Sequence, residues 1–184
     1  MAQVKVVVTG PFGAGKTTFI KTISEITVLS TERGISDHTK VHKDNTTVAM
    51  DFGRITIDST LVLYLFGTPG QERFDFMWEI LAEGMLGFVL VVDMQRPESF
   101  EEASTILNAF RTYGKVPFVV GVNKHEESDP EFDVKHARER LDIEDEVTVM
   151  PLNALDRDSV KNVLLALLYA VLEDVEGNRV ATSA

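Results

Sequence analysis

The stretch Val4-Lys5-Val6-Val7-Val8-Thr9-Gly10-Pro11-Phe12-Gly13-Ala14-Gly15-Lys16-Thr17-Thr18-Phe19-Ile20 decides the fold. Its first half, Val4 to Val8, is a continuous apolar run of the kind that forms a buried strand. Its second half opens a segment with helical spacing, Phe19 to Ile26. Between them lies the full pattern G-x-x-x-x-G-K-T. Strand, glycine-rich turn and helix are the context a phosphate-binding loop requires. The glycines let the backbone curl so that successive N–H groups point at one anion. The helix N-terminus adds partial positive charge. In that role Gly10, Phe12, Gly13, Ala14, Gly15, Lys16, Thr17 and Thr18 line the phosphates. Lys16 reaches the β- and γ-phosphates as a point charge, and the Thr17 hydroxyl sits on Mg²⁺. An ordinary glycine-rich turn with a surface lysine is the bland alternative, and it does not call for the strand–helix setting.

Working outward, the 184 residues suit one domain, read as residues 1–175, with 176–184 as a flexible tail. The composition is that of a globular protein, 44% hydrophobic and 26% charged. The absence of cysteine excludes disulfides, thiolate metal sites and cysteine nucleophiles. No charged-then-apolar leader precedes the first strand, and no apolar run reaches a membrane span. The second residue is Ala2 rather than glycine, and the last residues include no cysteine, so neither a myristoyl nor a prenyl anchor fits. A soluble, cytoplasmic protein is the expectation. Net charge is −11, and residues 126–146 carry ten acids against three bases. That balance argues against nucleic acid as a partner, and the acidic segment reads as a solvated helix with its loops.

Strand-like and helix-like runs alternate. Strands are expected at Val4–Thr9, Thr47–Asp58, Leu61–Phe66, Gly87–Val92, Val116–Val122 and Val147–Met150. Helices are expected at Thr17–Ile26, from Pro97 to Gly114, at Asp133–Leu141 and along the stripe Val160 to Leu172. Asp58-Ser59 makes the second and third strands an antiparallel hairpin. Val28 to Asn45 reads as a long loop. The order implies a doubly wound, mostly parallel six-stranded sheet with one antiparallel edge hairpin. Ligands bind at the carboxyl ends of such strands, so the loops after residues 9, 66 and 122 should meet at one site.

Those loops carry Gly67-Thr68-Pro69-Gly70-Gln71-Glu72-Arg73-Phe74, then Asn123-Lys124-His125-Glu126, and after the last strand Asn153-Ala154-Leu155. In order and spacing, from about residue 3 to 172, the chain resembles the Ras-superfamily small GTPases of the P-loop NTPase fold, and from Gly70 to Phe100 it is similar to the Rab branch without a gap. The resemblance implies a GTP/GDP switch with Mg²⁺. It puts Thr47 on the metal in the GTP state, gives the Gly70 N–H to the γ-phosphate and has Gln71 orient the attacking water. Asn123, Lys124 and Glu126 would frame the guanine, with the N–H groups of Ala154 and Leu155 on its carbonyl oxygen. Catalysis of this kind is positioning and charge stabilisation by Lys16, Thr47 and Gln71.

Three departures stand out. D-x-x-G reads Gly67-x-x-Gly70, which removes the aspartate that steadies Mg²⁺ through water. With Pro69, this resembles the bacterial branch containing the gliding-polarity GTPase MglA and the GTPases encoded beside Roadblock-domain proteins. N-K-x-D reads N-K-x-E, and the usual serine of the last motif is Asn153. Thr46 stands where the MglA proteins carry an arginine. Of Arg33, Arg54 and Arg73, Arg33 is the best internal substitute, Arg54 reads as strand surface and Arg73 as part of the ordinary motif.

Slow hydrolysis assisted by a Roadblock-domain regulator or GAP-like protein is the expectation, with an effector meeting Phe74, Phe76 and Trp78. Two rival readings are a pseudo-GTPase that holds nucleotide without hydrolysing it and an adenine-nucleotide protein using Asp93 on Mg²⁺. In the Ras-like order Asp93 lies on the wrong strand and reads as structural. Asp51 and Asp58 read as strand-end caps, with partial replacement of the missing aspartate as their other role. The four histidines show no metal spacing.

Overall fold

The computed structural model describes residues 2–30, 50–70, 75–124 and 130–182. The elements are β1 (Ala2–Thr9), α1 (Lys16–Ile23), β2 (Leu29–Ser30), β3 (Asp51–Thr56), β4 (Leu61–Gly67), α2 (Phe76–Ala82), β5 (Met85–Asp93), α3 (Phe100–Tyr113), β6 (Phe118–Asn123), α4 (Pro130–Leu141), β7 (Val149–Leu152) and α5 (Arg157–Thr182). The sheet order is β2-β3-β4-β1-β5-β6-β7. β1 pairs in parallel with β4 and β5, and β5, β6 and β7 continue in parallel. β3 is antiparallel to β4. The expected six strands and the antiparallel hairpin are therefore present, and a seventh strand, β2, lies outside the hairpin at the sheet's edge.

Two packed layers explain why the central strands are apolar on both faces. Along β1, Val6 and Val8 face the core under α1 and α5, while Val7 faces the core under α2, α3 and α4. β5 alternates likewise, with Val89 and Val91 on the first side and Phe88, Leu90 and Val92 on the second. Each strand residue has a covered face to fill, which is why these strands read as unbroken apolar runs. Order on the sheet reverses at β1, so the crevice at its carboxyl end is the topological switch point where such folds bind ligands.

Several boundaries differ from the sequence expectation. Leu29 and Ser30 lie not in loop but in a two-residue strand antiparallel to Phe52 and Asp51. α1 stops at Ile23 because Ser24 turns extended, with its N–H still on Ile20 O at 3.0 Å. β7 sits two residues later than expected and contains Pro151, whose missing donor is tolerated on an edge strand. A helix, α2, occupies the segment after Gly70. α5 continues through Thr182, past the limit of 175. Its residues Leu172 to Gly177 are exposed, so helix propensity rather than packing carries these turns. Among the described residues no helix is long and apolar enough to cross a membrane.

Candidate functional site

The loop Gly10 to Gly15 leaves β1 at the switch point and wraps into the N-terminus of α1. Gly10, Gly13 and Gly15 all have positive φ, at 142°, 77° and 112°. At Gly15 a side chain is also excluded by space, since its Cβ would run into Asn123 Nδ2. Lys16, the first helical residue, is buried and turns its ammonium onto the loop carbonyls of Gly10 and Pro11, both at 2.7 Å. Thr9 Oγ1 and Thr68 Oγ1 share a hydrogen bond of 2.8 Å, and Thr68 N–H donates to Val8 O at 3.0 Å. These contacts lay the loop after β4 against the loop after β1. Gly70 comes so close that a Cβ there would lie 2.5 Å from Phe12 N and 2.7 Å from Lys16 Nζ.

The neighbouring strand brings a carboxylate beside Gly67, the position of the D-x-x-G aspartate. Asp51 opposes Gly67 in the β3–β4 ladder, is buried, and accepts a hydrogen bond from the Thr17 hydroxyl. A Cβ at Gly67 would lie 3.0 Å from Asp51 Cβ, 3.3 Å from Asp51 Oδ2 and 2.9 Å from Ile20 Cδ1. The glycine therefore makes room for the carboxylate one strand away. Asp51 is no strand-end cap, whereas Asp58 is a turn residue, accepting from Thr60 N–H, Thr60 Oγ1 and Leu61 N–H. Those bonds hold the Asp58 carboxyl below its ordinary range, the Thr60 side chain contributing most. The hard oxygen pair of Thr17 and Asp51 suits Mg²⁺, which takes one or two protein oxygens and keeps the rest for water and phosphate. Among the described residues no three His, Cys, Asp or Glu side chains gather into an all-protein metal cage.

On the other side of the loop, Asn123 ends β6 and is buried. Its Nδ2 donates to Ala14 O at 2.9 Å and its Oδ1 accepts from Ala154 N–H at 3.2 Å. Lys124 adopts φ 60° and reaches Asp93 Oδ2 at 2.7 Å and Gly13 O at 3.1 Å. Asn153 Oδ1 accepts from Leu155 N–H at 3.0 Å. The two N–H groups expected on a base carbonyl thus already meet side-chain oxygens, which a base would share or displace. A cavity of about 300 Å³ lies here, lined in part by Thr18, Asn123, Lys124, Ala154 and Leu155. A second, of about 230 Å³, adjoins it along Gly13, Gly15 and Thr18 and is walled by Lys16, Thr17, Asp51 and Gly70. The first lies at the lower end of the roughly 300–1,000 Å³ typical of small-molecule sites.

Asp93 is buried at the end of β5. Its carboxylate holds Lys124 with one oxygen and accepts from Gln95 N–H at 2.9 Å with the other, which leaves the structural reading of this residue in place. Trp78 is not an exposed effector contact: it is buried, with its indole N–H on Pro69 O at 3.1 Å. Phe76 and Ile80, four residues apart on α2, face outward instead, at 54% and 59% exposure. Thr47, Gln71, Phe74, Glu126, Arg33 and Arg73 lie outside the described residues.

Arg96 is not among the arginines that the motifs single out, yet its Nη1 donates to Phe12 O at 2.6 Å. The signal that could have found it is topological. Arg96 stands three residues past the end of β5, the strand beside β1, so it passes the phosphate loop.

Over residues 8–180 the chain matches the family described as conserved hypothetical ATP binding protein. It is 32% identical over 127 residues to an uncharacterised protein of Methanocaldococcus jannaschii, spanning 69% of this chain and 73% of that one. ADP-ribosylation factor-like protein 3 of Saccharomyces cerevisiae is 26% identical over 171 residues, 88% of this chain and 82% of that one. Ras-related protein RabC of Dictyostelium discoideum is 30% identical over 125 residues, 64% of this chain and 58% of that one. The protein belongs to the family described as conserved hypothetical ATP binding protein, and its sequence is similar to those of Arf-like and Rab proteins.

Proposed function

We propose that this protein is a guanine-nucleotide switch that binds GTP and GDP with Mg²⁺ and hydrolyses GTP slowly. The observation that carries the reading is the pair of adjoining cavities at the carboxyl ends of β1, β4 and β6, one walled by Lys16, Thr17 and Asp51 and the other by Asn123, Lys124 and Ala154. A nucleotide spanning both would lay its phosphates along Gly10 to Thr18. Lys16 would leave two neutral carbonyls for charged phosphate oxygens, which are better acceptors. Thr17 and Asp51 would hold Mg²⁺, directly or through water. Bound there, the metal would supply positive charge to offset that of the phosphates. Gly70 would give its N–H to the γ-phosphate, with Thr47 and Gln71 completing the site and Glu126 reading the base.

Thr46 stands where the resemblance puts an arginine. An arginine supplied by a partner is worth about 10³–10⁵ in rate, so slow turnover by this chain alone is the expectation. A Roadblock-type regulator, as in the MglA branch, fits that need, and the outward Phe76 and Ile80 offer it apolar contact beside the Gly70 loop. The adenine alternative draws on the family's description, but its proposed metal ligand Asp93 bonds Lys124 and the Gln95 N–H, while Asp51 is the carboxylate on Thr17. Competition of fluorescent GDP with GTP, GDP and ATP, in Mg²⁺ and then in EDTA, tests the reading. Competition by guanine nucleotides alone, weakened in EDTA, is expected. Equal competition by ATP would overturn the guanine assignment.

A further inference from the structure

Three side chains grip the phosphate loop from behind. Arg96 Nη1 donates to Phe12 O at 2.6 Å, Lys124 Nζ to Gly13 O at 3.1 Å and Asn123 Nδ2 to Ala14 O at 2.9 Å. The carbonyls are consecutive. In a trans peptide the carbonyl and the following N–H point in opposite directions, and no described peptide is cis. Fixing the Phe12 carbonyl on Arg96 therefore turns the Gly13 N–H the other way, and Phe12 and Gly13 both line the phosphate-side cavity. The Ala14 N–H closes a turn onto Pro11 O at 3.2 Å, the carbonyl Lys16 also holds. Asn123 and Lys124 belong to the base-reading motif. Arg96 belongs to no motif.

We infer that Arg96 is a positioning residue for bound nucleotide: it clamps the Phe12–Gly13 peptide from outside the phosphate loop and so sets how long the nucleotide stays. This rests on the nucleotide reading proposed above. Two further contacts support the clamp. Glu98 Oε1 lies 3.4 Å from Arg96 Nε and orients the guanidinium. A Cβ on Gly13 would lie 2.8 Å from Arg96 Nη1, so the guanidinium packs closely against that glycine. A cation on a peptide carbonyl also polarises that peptide and strengthens its N–H as a donor. Because the clamp holds the carbonyl side, Arg96 does not face the reacting phosphate and is no substitute for a catalytic arginine.

The test compares the full-length wild-type chain with Arg96→Ala and Arg96→Lys. The readouts are the dissociation rate of fluorescent GDP in Mg²⁺, the single-turnover hydrolysis rate at saturating GTP, and the melting temperature with and without nucleotide. A hydrogen bond to a charged group supports an expectation of about tenfold faster GDP release from Arg96→Ala. Hydrolysis of bound GTP should change less than about threefold, since the clamp faces away from the reacting phosphate, and melting without nucleotide should hold. Arg96→Lys, which keeps the charge, should recover most of the residence time. Unchanged release would overturn the inference. So would a loss of melting temperature equal with and without nucleotide, which would mark a structural contact only, or a slowed chemical step with normal release. If the wild type binds ATP and not GDP, the guanine reading fails alone and the same comparison is made with fluorescent ADP. If it binds neither, both fall.

Discussion

The two halves of the site are held together differently. In the base half, Asn123 bridges Ala14 and Ala154 and Lys124 bridges Asp93 and Gly13 across elements, while Asn153 turns onto Leu155 within its own loop. Each bond ties β6 or the loop after β7 to something a ligand does not replace, except the two N–H groups a base would share. In the phosphate half the Lys16 ammonium is engaged on acceptors that a charged ligand would outcompete. Lys16 sits on two neutral carbonyls of its own loop, and Thr17 on Asp51. The Gly70 loop rests over them, tied back through Pro69 to Trp78. Under the proposed function, the base half keeps its partners when nucleotide binds and the phosphate half exchanges them.

Changes in the phosphate half should therefore cost binding and spare the fold. The largest effect is expected for Lys16→Ala. Removing a charged donor to phosphate is worth about 1.5–3 kcal/mol per hydrogen bond lost, so with more than one such bond nucleotide affinity should fall at least about a hundredfold in titration calorimetry. Melting without nucleotide should stay close to wild type, since a buried cation goes along with its bonds. Retention of tight binding would break the contrast between the halves.

Asp51→Asn comes next. The amide keeps an acceptor for Thr17 and removes only the charge. Loss of a group that orients a metal ligand typically costs about 10–100-fold, so affinity in Mg²⁺ should drop by that factor and affinity in EDTA should not. An equal drop in both conditions would mean that Asp51 serves the fold and not the metal.

Asn123→Ala should do the reverse, weakening the fold as well as binding. It strands Ala14 O and Ala154 N–H in a buried setting, at about 1–3 kcal/mol for each orphaned group. At roughly 2–4 °C per kcal/mol for a chain of this size, melting without nucleotide should fall by about 5–10 °C. A variant that melted normally would show the base half to be no more rigid than the other.

What could be read in the sequence follows the same division. The phosphate loop, the six strands and the meeting of the loops after Thr9, Phe66 and Val122 are legible because apolar runs and a local motif determine them. Asp51 is legible only as an acid on a strand. Its role depends on opposing Gly67 across the hairpin, a register that local periodicity does not state. Arg96 depends on β5 lying beside β1, again a non-local fact. Leu29–Ser30 is too short to show a period. Trp78 reads as an outward residue only while α2 goes unrecognised. Once the helix exists, Trp78, Leu81 and Ala82 fall on one face at spacings of three and four and are buried, which leaves Phe76 and Ile80 outward.

That burial gives the smallest expected effect and the sharpest probe of how the two halves meet. Trp78 packs near Phe110, with ring centroids 6.5 Å apart, and its indole N–H holds Pro69 O. Trp78→Phe keeps most of the apolar contact and removes the donor. A single hydrogen bond of this kind contributes about 1 kcal/mol net, so melting should fall by only about 2–4 °C. The bond is a tether between the Gly70 loop and the α2–α3 layer, so its loss should register where that loop acts. Binding of GTP should weaken about fivefold, the value of that ~1 kcal/mol, while binding of GDP, which has no γ-phosphate for Gly70 to meet, should be nearly unchanged. Equal weakening of both would place the effect in general packing. Weakening of GTP alone would show that the phosphate half answers to α2 through the Trp78–Pro69 bond.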